Sequence, residues 1–137
     1  MSYLIDTNVL SELRRREPNP GVVAWVEARP ATLLYISVLT LGEIRKGLEA
    51  LDAGRRKDAL LDWLETELPA FFSGRILPID QAVADRWGHL LADATRPLPA
   101  IDSLLAATAV THGLALVTRN VGDFPYPGLE IINPWAL

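Results

Sequence analysis

The sequence predicts an α/β fold, a three-layer α/β/α sandwich around a mostly parallel sheet. Three observations carry that prediction. Five short apolar runs, at 3–6, 33–37, 76–79, 114–118 and 130–133, are separated by longer segments with helical spacing. Four of the five hold three or more consecutive apolar or β-branched residues without clean polar alternation, as strands buried on both faces do. The order strand–helix–helix, repeated three times and followed by a strand, a helix or loop and a last strand, builds a parallel sheet covered on both faces.

The elements follow in order. Residues 7–15 and 21–28 read as short helices, split at 17–21 by Glu-Pro-Asn-Pro-Gly, a cluster of breakers. Ser37 stands where it can cap a helix running to about residue 51, with Leu41, Ile44, Leu48 and Leu51 in one stripe. Residues 55–72 carry Leu60, Leu61, Leu64, Leu68 and Phe71 at helical spacing, with a kink expected near Pro69. Asp80 is placed to cap 81–94, turning Val83, Trp87 and Leu90 or Leu91 inward. Residues 102–112 make a helix rich in Ala and Leu that Gly113 stops. No linker, repeat or low-complexity tract interrupts the pattern, so residues 1–137 are expected to form one domain.

Composition narrows the function classes. A chain of 137 residues, half of them apolar and 22% charged, can bury roughly two thirds of its unfolded surface without staples. It has no cysteine, which excludes a disulfide scaffold, a thiolate zinc site and a cysteine nucleophile. Two histidines, His89 and His112, are too few for a histidine-rich metal centre. Charge-free stretches such as 30–42 fall short of the ~20 residues that span a bilayer. The opening Met-Ser-Tyr-Leu-Ile-Asp lacks the basic and apolar regions of a secretion signal, so the expectation is a cytoplasmic protein with no membrane partner. A net charge of −4 argues against nonspecific tight binding to nucleic acid and leaves room only for a local basic patch.

In an open α/β sheet, ligands bind beyond the carboxyl ends of the strands. The first run leads into Asp6-Thr7-Asn8, the second into Ser37, Thr40 and Glu43, and the fourth into Thr118-Arg119-Asn120 with Asp123 close behind. Asp102 opens the apolar helix before the fourth run. Each has a plain structural reading. Asp6 and Asp102 can be helix caps, Thr7 and Asn8 helix-start polarity, Glu43 a solvated face, and Asp123 a turn aspartate before Phe124-Pro125. Thr40 and Gly47 share the Glu43 side of their helix and would leave room for a ligand. Asp102 is the only charge between residues 98 and 118, so burial there would demand a cation or hydrogen bonds. Arg119 can pair with Asp123 or contact phosphate. Taken together, three or four carboxylates converge on one edge with almost no histidine. Such hard oxygen ligands suit Mg²⁺ or Mn²⁺, not zinc. Two divalent ions would neutralise four mutually repelling carboxylates, activate a water and stabilise the leaving oxygen of an in-line phosphoryl displacement.

Four segments carry a family resemblance. They are Tyr-Leu-Ile-Asp-Thr-Asn-Val-Leu-Ser-Glu-Leu at 3–13, Ile-Ser-Val-Leu-Thr-Leu-Gly-Glu-Ile-Arg-Lys-Gly at 36–47, Ile-Asp-Ser-Leu-Leu-Ala-Ala-Thr-Ala at 101–109, and Leu-Val-Thr-Arg-Asn-Val-Gly-Asp-Phe at 116–124. In order and spacing they resemble the motifs of PIN-domain proteins, and more closely the VapC/FitB-type toxins of bacterial type II toxin–antitoxin pairs, as does Ile-Asn-Pro-Trp at 132–135. The resemblance implies a Mg²⁺- or Mn²⁺-dependent ribonuclease, a homodimer, and inhibition by a cognate antitoxin. Its acidic quartet falls on Asp6, Glu43, Asp102 and Asp123, and its polar helpers on Thr7, Asn8, Thr118 and Asn120. Asp6 and Asp102 are then direct metal ligands, while Glu43 and Asp123 bind a second ion or act through water. RNA phosphodiester bonds would be hydrolysed by metal-activated water, leaving a 5′ phosphate and requiring no histidine.

Arg14, Arg15 and Arg16 on the first helix, and Arg45 and Lys46 beside Glu43, can hold RNA phosphates or simply form a solvated face. Arg55, Arg56 and Lys57 are expected to face solvent, and Trp25, Trp63, Trp87 and Trp135 to be core or interface residues. Two rival readings remain. An aspartate phosphotransfer or phosphatase enzyme would need a lysine near its carboxylates, yet Lys46 and Lys57 both lie within predicted helices. A non-catalytic PIN-like scaffold would only bind a partner, and the intact quartet argues against it.

Overall fold

Five strands make one sheet in the order β3-β2-β1-β4-β5 in the computed structural model, which describes residues 1–137. They are β1 (Tyr3–Ile5), β2 (Leu34–Ser37), β3 (Ile76–Leu77), β4 (Ala115–Val117) and β5 (Ile131–Ile132). All four pairings are parallel, with Leu4 of β1 opposite Tyr35 on one side and Leu116 on the other. From β1 the chain steps outward to β2 and β3, then crosses back to lay β4 on the far side of β1. The connectivity therefore reverses between β1 and β4, and the crevice beyond their carboxyl ends is where an α/β sheet binds ligands.

Strand alternation makes the layers. Ile5 and Val117 point into one core, with Val9, Leu10, Val22, Ile36, Ile44 and Leu64. Leu4 and Leu116 point into the other, with Leu105, Ala106, Ala109 and Phe124. The first face carries α1 (Thr7–Leu13), α2 (Pro20–Glu27), α3 (Val38–Glu49), α4 (Arg55–Asp62) and α5 (Leu68–Phe71). The second carries α6 (Gln81–Asp93) and α7 (Ala100–His112), packed on each other. The sandwich expected from the sequence is the one observed. Ser37 caps α3 by accepting the Leu39 N–H at 3.1 Å, and Asp80 caps α6 by accepting the Val83 N–H at 3.0 Å. Gly113 closes α7 in the left-handed region at φ 65°, where a side chain would be strained.

Several boundaries differ, each for a local reason. The helix expected over 55–72 is interrupted by a π-helical turn at Trp63–Glu67, where the Leu68 N–H reaches back to the Trp63 carbonyl. Pro69 cannot donate to the carbonyl four residues earlier and its ring would press on it. The widened turn just before it absorbs both problems and keeps Leu60, Leu64 and Leu68 in one core. The breaker cluster at 17–21 is itself a cap: Asn19 Oδ1 accepts the N–H groups of Gly21 and Val22, and Pro20 occupies the first turn. Helix α1 stops at Leu13, so of the three arginines expected on it Arg14 is the C-cap and Arg15 and Arg16 lie in the following bend. Helix α7 begins at Ala100, with Pro99 at its N-cap and no side-chain cap, which places Asp102 in the first turn and removes the alternative reading of Asp102 as a helix cap. No helix is long and apolar enough to cross a membrane.

Candidate active site

Asp6 is where β1 becomes α1. Its backbone N–H donates to the Val117 carbonyl at 3.0 Å, continuing the β1–β4 ladder for one more rung. Its carboxylate then serves two elements. Oδ1 accepts the Thr7 N–H at 2.7 Å and caps α1. Oδ2 accepts the Thr118 hydroxyl at 2.8 Å and the Asn8 amide at 3.4 Å. Thr118, fully buried at the end of β4, in turn accepts from Asn8 Nδ2 and from the Asn120 N–H, both at 3.1 Å. Asn8 Oδ1 takes the Arg119 N–H at 3.3 Å. The two strand ends at the switch point are thus tied by side chains as well as by the sheet.

Asp6, Glu43 and Asp102 come from the β1–α1 junction, α3 and α7 and open together into a cavity of about 430 Å³. Glu43 is exposed and accepts the Thr7 hydroxyl at 2.7 Å. Burial pushes the Asp6 carboxyl up, against the Thr118 and Thr7 hydrogen bonds, with Glu43 and Asp102 adding repulsion. The Asp102 carboxyl is also raised, first by desolvation and then by Asp123 and Glu43. Asp123 ends a short 3-10 turn, Val121–Asp123, outside the cavity lining, although its charge reaches Asp102. None of the four is in an ion pair. No three of them draw together into a closed cation cage. The donor set is all hard oxygen and none of its carboxylates is paired to a cation, which fits a divalent cation such as Mg²⁺ or Mn²⁺ better than any softer ion.

The other sequence-predicted residues separate. Thr7, Asn8 and Asn120 line the acidic cavity, and Gly47 lines a neighbouring groove with Glu43. Thr40 instead turns fully into the interior, where its hydroxyl has no partner, and lines neither the cavity nor the groove. Arg15 lines the acidic cavity, Arg14 lies over the Trp63 ring, and Arg16 is exposed. Arg45 is committed to Glu49 at 3.3 Å and Glu65 at 2.9 Å, and neither it nor Lys46 lines the cavity. Arg56, expected to face only solvent, lines the neighbouring groove. Lys57 donates to the Glu49 and Leu51 carbonyls at the end of α3, far from a phosphate-holding role. Arg119 does not pair with Asp123. It lies over Trp135, and that ring stands on the cavity wall.

Glu12 is the residue the sequence reading passed over. It is 5% exposed, lines the cavity, accepts the Asn19 N–H at 2.9 Å and pairs with Arg15 at 3.3 Å. The Asn19 hydrogen bond holds its carboxyl below the usual range, helped by Arg15 and Arg119. The signal was present in helical spacing: Asn8, Ser11, Glu12 and Arg15 recur at i, i+3, i+4 and i+7, a polar stripe facing the cavity.

Comparison with known proteins agrees with this architecture. The family model of the PIN domain matches residues 3–124. The chain is 40% identical over 135 residues to the VapC ribonuclease Y4jK of Sinorhizobium fredii, covering 96% of each protein. It is 38% identical over 135 residues to the toxin FitB of Neisseria gonorrhoeae, covering 96% of this chain and 97% of that one. The crystal structure of FitAcB from Neisseria gonorrhoeae superposes with a TM-score of 0.90 at 37% identity, over 98% of this chain and 99% of that one.

Proposed function

Because this chain belongs to the PIN-domain family, we propose that it is the ribonuclease toxin of a type II toxin–antitoxin pair, hydrolysing RNA phosphodiester bonds with the help of Mg²⁺ or Mn²⁺. The observation that carries the reading is the convergence of Asp6, Glu43 and Asp102 on one open cavity with no cationic side chain paired to them. Similar proteins are named ribonucleases and toxins, which supports the same reading.

Asp6 and Asp102 would hold the cation directly, with Glu43 and Asp123 beside them for a second ion or for water-mediated contact. When bound, the cation would supply charge to polarise the phosphodiester and lower the pKa of the attacking water. The chain's own residues do the rest. Thr118 and Asn8 fix the Asp6 carboxylate, and Thr7 fixes Glu43, so the oxygens are aimed before substrate arrives. With Asn120 held at the rim by its N–H on Thr118, the cavity presents acceptors on its floor and donors at its edge. No histidine lines it, so proton transfer to and from water falls to the carboxylates.

Similar structures solved as FitAB and VapBC complexes support a cognate antitoxin as the partner of this chain. We extend the same reading to a homodimer acting in the cytoplasm, where RNA is the substrate. The feature that would suit a binding-only scaffold is the absence of a closed carboxylate cage, and one experiment separates the two. Purified chain is incubated with pooled cellular RNA in Mg²⁺, in Mn²⁺ and in chelator, and the cut ends are mapped. Discrete metal-dependent cuts bearing 5′ phosphates are expected. Intact RNA in both metals overturns the enzyme.

A further inference from the structure

The three carboxylates that open into the acidic cavity are not held alike. Asp6 is held by Thr7, Asn8 and Thr118, and Glu43 by Thr7. Asp102 accepts no hydrogen bond and has no cationic partner, so only the placement of its backbone aims it. That backbone is the first turn of α7, which has no side-chain cap and follows a segment, 94–99, that belongs to no helix or strand. A helix start leaves its first N–H groups without partners inside the helix and is where a helix frays. One pair of side chains reaches it from the neighbouring helix. The Trp87 indole N–H, on α6, donates to Ser103 Oγ at 2.9 Å, and the Ser103 hydroxyl donates to the Ala100 carbonyl at 2.8 Å. We propose that Trp87 and Ser103 are positioning residues for Asp102, a clasp from α6 that fixes the first turn of α7 and so aims the carboxylate into the cavity. The proposal rests on the metal-dependent reading above and adds residues that shape the site from outside it, since neither lines the cavity.

Direction is the first reason. An indole N–H can only donate, whereas a hydroxyl donates one proton and accepts at its lone pairs. The chain Trp87 to Ser103 to Ala100 therefore runs one way, and each bond polarises the next. Burial is the second. Ser103 is 0% exposed, so no water competes for its oxygen, and losing either partner leaves a polar group unpaired in the interior. Place is the third. Ser103 follows Asp102 directly, and its hydroxyl returns to Ala100, so the clasp spans the turn that carries the carboxylate. Thr108 and Thr111 also donate to carbonyls of α7, those of Leu104 and Ala107, but neither receives a bond from α6. Ser103 alone joins the two helices in this way. A ligand misplaced by about 1 Å can cost about 100-fold in rate, which is why a bond that holds the turn bears on the chemistry.

The test is Mn²⁺ binding to the full chain, with free ion read by its EPR signal. S103A and W87F are each expected to weaken Mn²⁺ binding about tenfold. The double variant W87F/S103A should be no weaker than S103A alone, because the indole bond ends on the serine. T111V removes the same kind of hydroxyl-to-carbonyl bond farther along α7 and should bind Mn²⁺ as wild type. Cleavage by S103A should fall at low Mn²⁺ and recover as Mn²⁺ is raised, a rescue that general instability would not give. Melting curves show that each variant is folded. Should W87F not fold, S103A, which removes one oxygen, decides the matter against T111V. Wild-type Mn²⁺ affinity in S103A and W87F overturns the proposal. So does an equal loss in T111V, and so do losses that simply add in the double variant. If the wild type itself takes up no Mn²⁺, the metal reading fails and hydrogen exchange in chelator decides the clasp. Faster exchange of the amides at 103 and 104 in S103A and W87F, but not in T111V, then upholds it, and unchanged exchange overturns it.

Discussion

The Thr118 hydroxyl donates to Asp6 Oδ2 at 2.8 Å, joining residues 112 positions apart at the point where the sheet reverses its connectivity. That single hydroxyl also receives Asn8 and Asn120, so it is the hub around which the floor of the cavity is set.

Thr118→Val keeps the shape and removes the hub. Asp6 loses its strongest side-chain donor, and the Asn8 amide and Asn120 N–H lose an acceptor. The expected cost is about 1–3 kcal/mol of stability, with about a 10- to 100-fold loss of cleavage. Urea denaturation and cleavage rates measured on the same preparation check both numbers.

Asp102→Asn separates charge from shape. Asp102 is not the cap of α7, so nothing in the helix start depends on its carboxylate. In chelator the variant should melt at the wild-type temperature or slightly above, because one member of a mutually repelling set is gone. RNA cleavage should fall by orders of magnitude. Cleavage at the wild-type rate would remove Asp102 from the site and leave it to be rebuilt around Asp6, Glu43 and Asp123.

Cation binding should appear as stability. With about 10 mM Mg²⁺ and a site affinity of about 1 mM, linkage adds about 1.4 kcal/mol, a shift of a few degrees in Tm. Asp102→Asn should gain less from the same addition. A wild-type melting curve indifferent to both Mg²⁺ and Mn²⁺ would remove the metal from the proposed reaction.

The pH dependence of the metal-free protein follows from Asp6. Its carboxyl is raised above the ordinary 3.8 by burial, so the folded state favours the protonated form. That contribution is complete below the unfolded value and is lost as pH rises through the raised folded value. In chelator, the Tm of the wild type minus that of Asp6→Asn should therefore increase as pH falls from 7 toward 4. Glu12 has the opposite sign: its lowered carboxyl contributes above its unfolded value and is lost on acidification. A difference curve that is flat or falls toward acid would contradict the buried, repelled state of Asp6.

Much of this protein is legible in its sequence because the relevant physics is local. Uninterrupted apolar runs mark strands buried on both faces, and β1, β2 and β4 lie within those runs. Ser37, Asp80 and Gly113 act on backbone groups within a few positions of themselves, so their capping roles can be read along the chain. Asp6, Glu43 and Asp102 stand out because carboxylates recur just beyond strands or at helix starts. What tertiary structure alone decided is which partners each side chain meets. The turn at Trp63–Glu67 answers Pro69 by keeping Leu64 and Leu68 in the core, a compromise that needs the sheet to exist. Asp102 is no cap because α7 starts after Pro99, two residues before the expected start at 102. Arg119 met Trp135 instead of Asp123, and Arg45 met Glu65 instead of the cavity, because a guanidinium settles on whichever ring or carboxylate the packed helices bring within reach. Periodicity and caps depend on neighbours along the chain, whereas burial, charge pairing and the shared hydroxyl of Thr118 depend on neighbours across it, and those exist only once β4 has been laid beside β1.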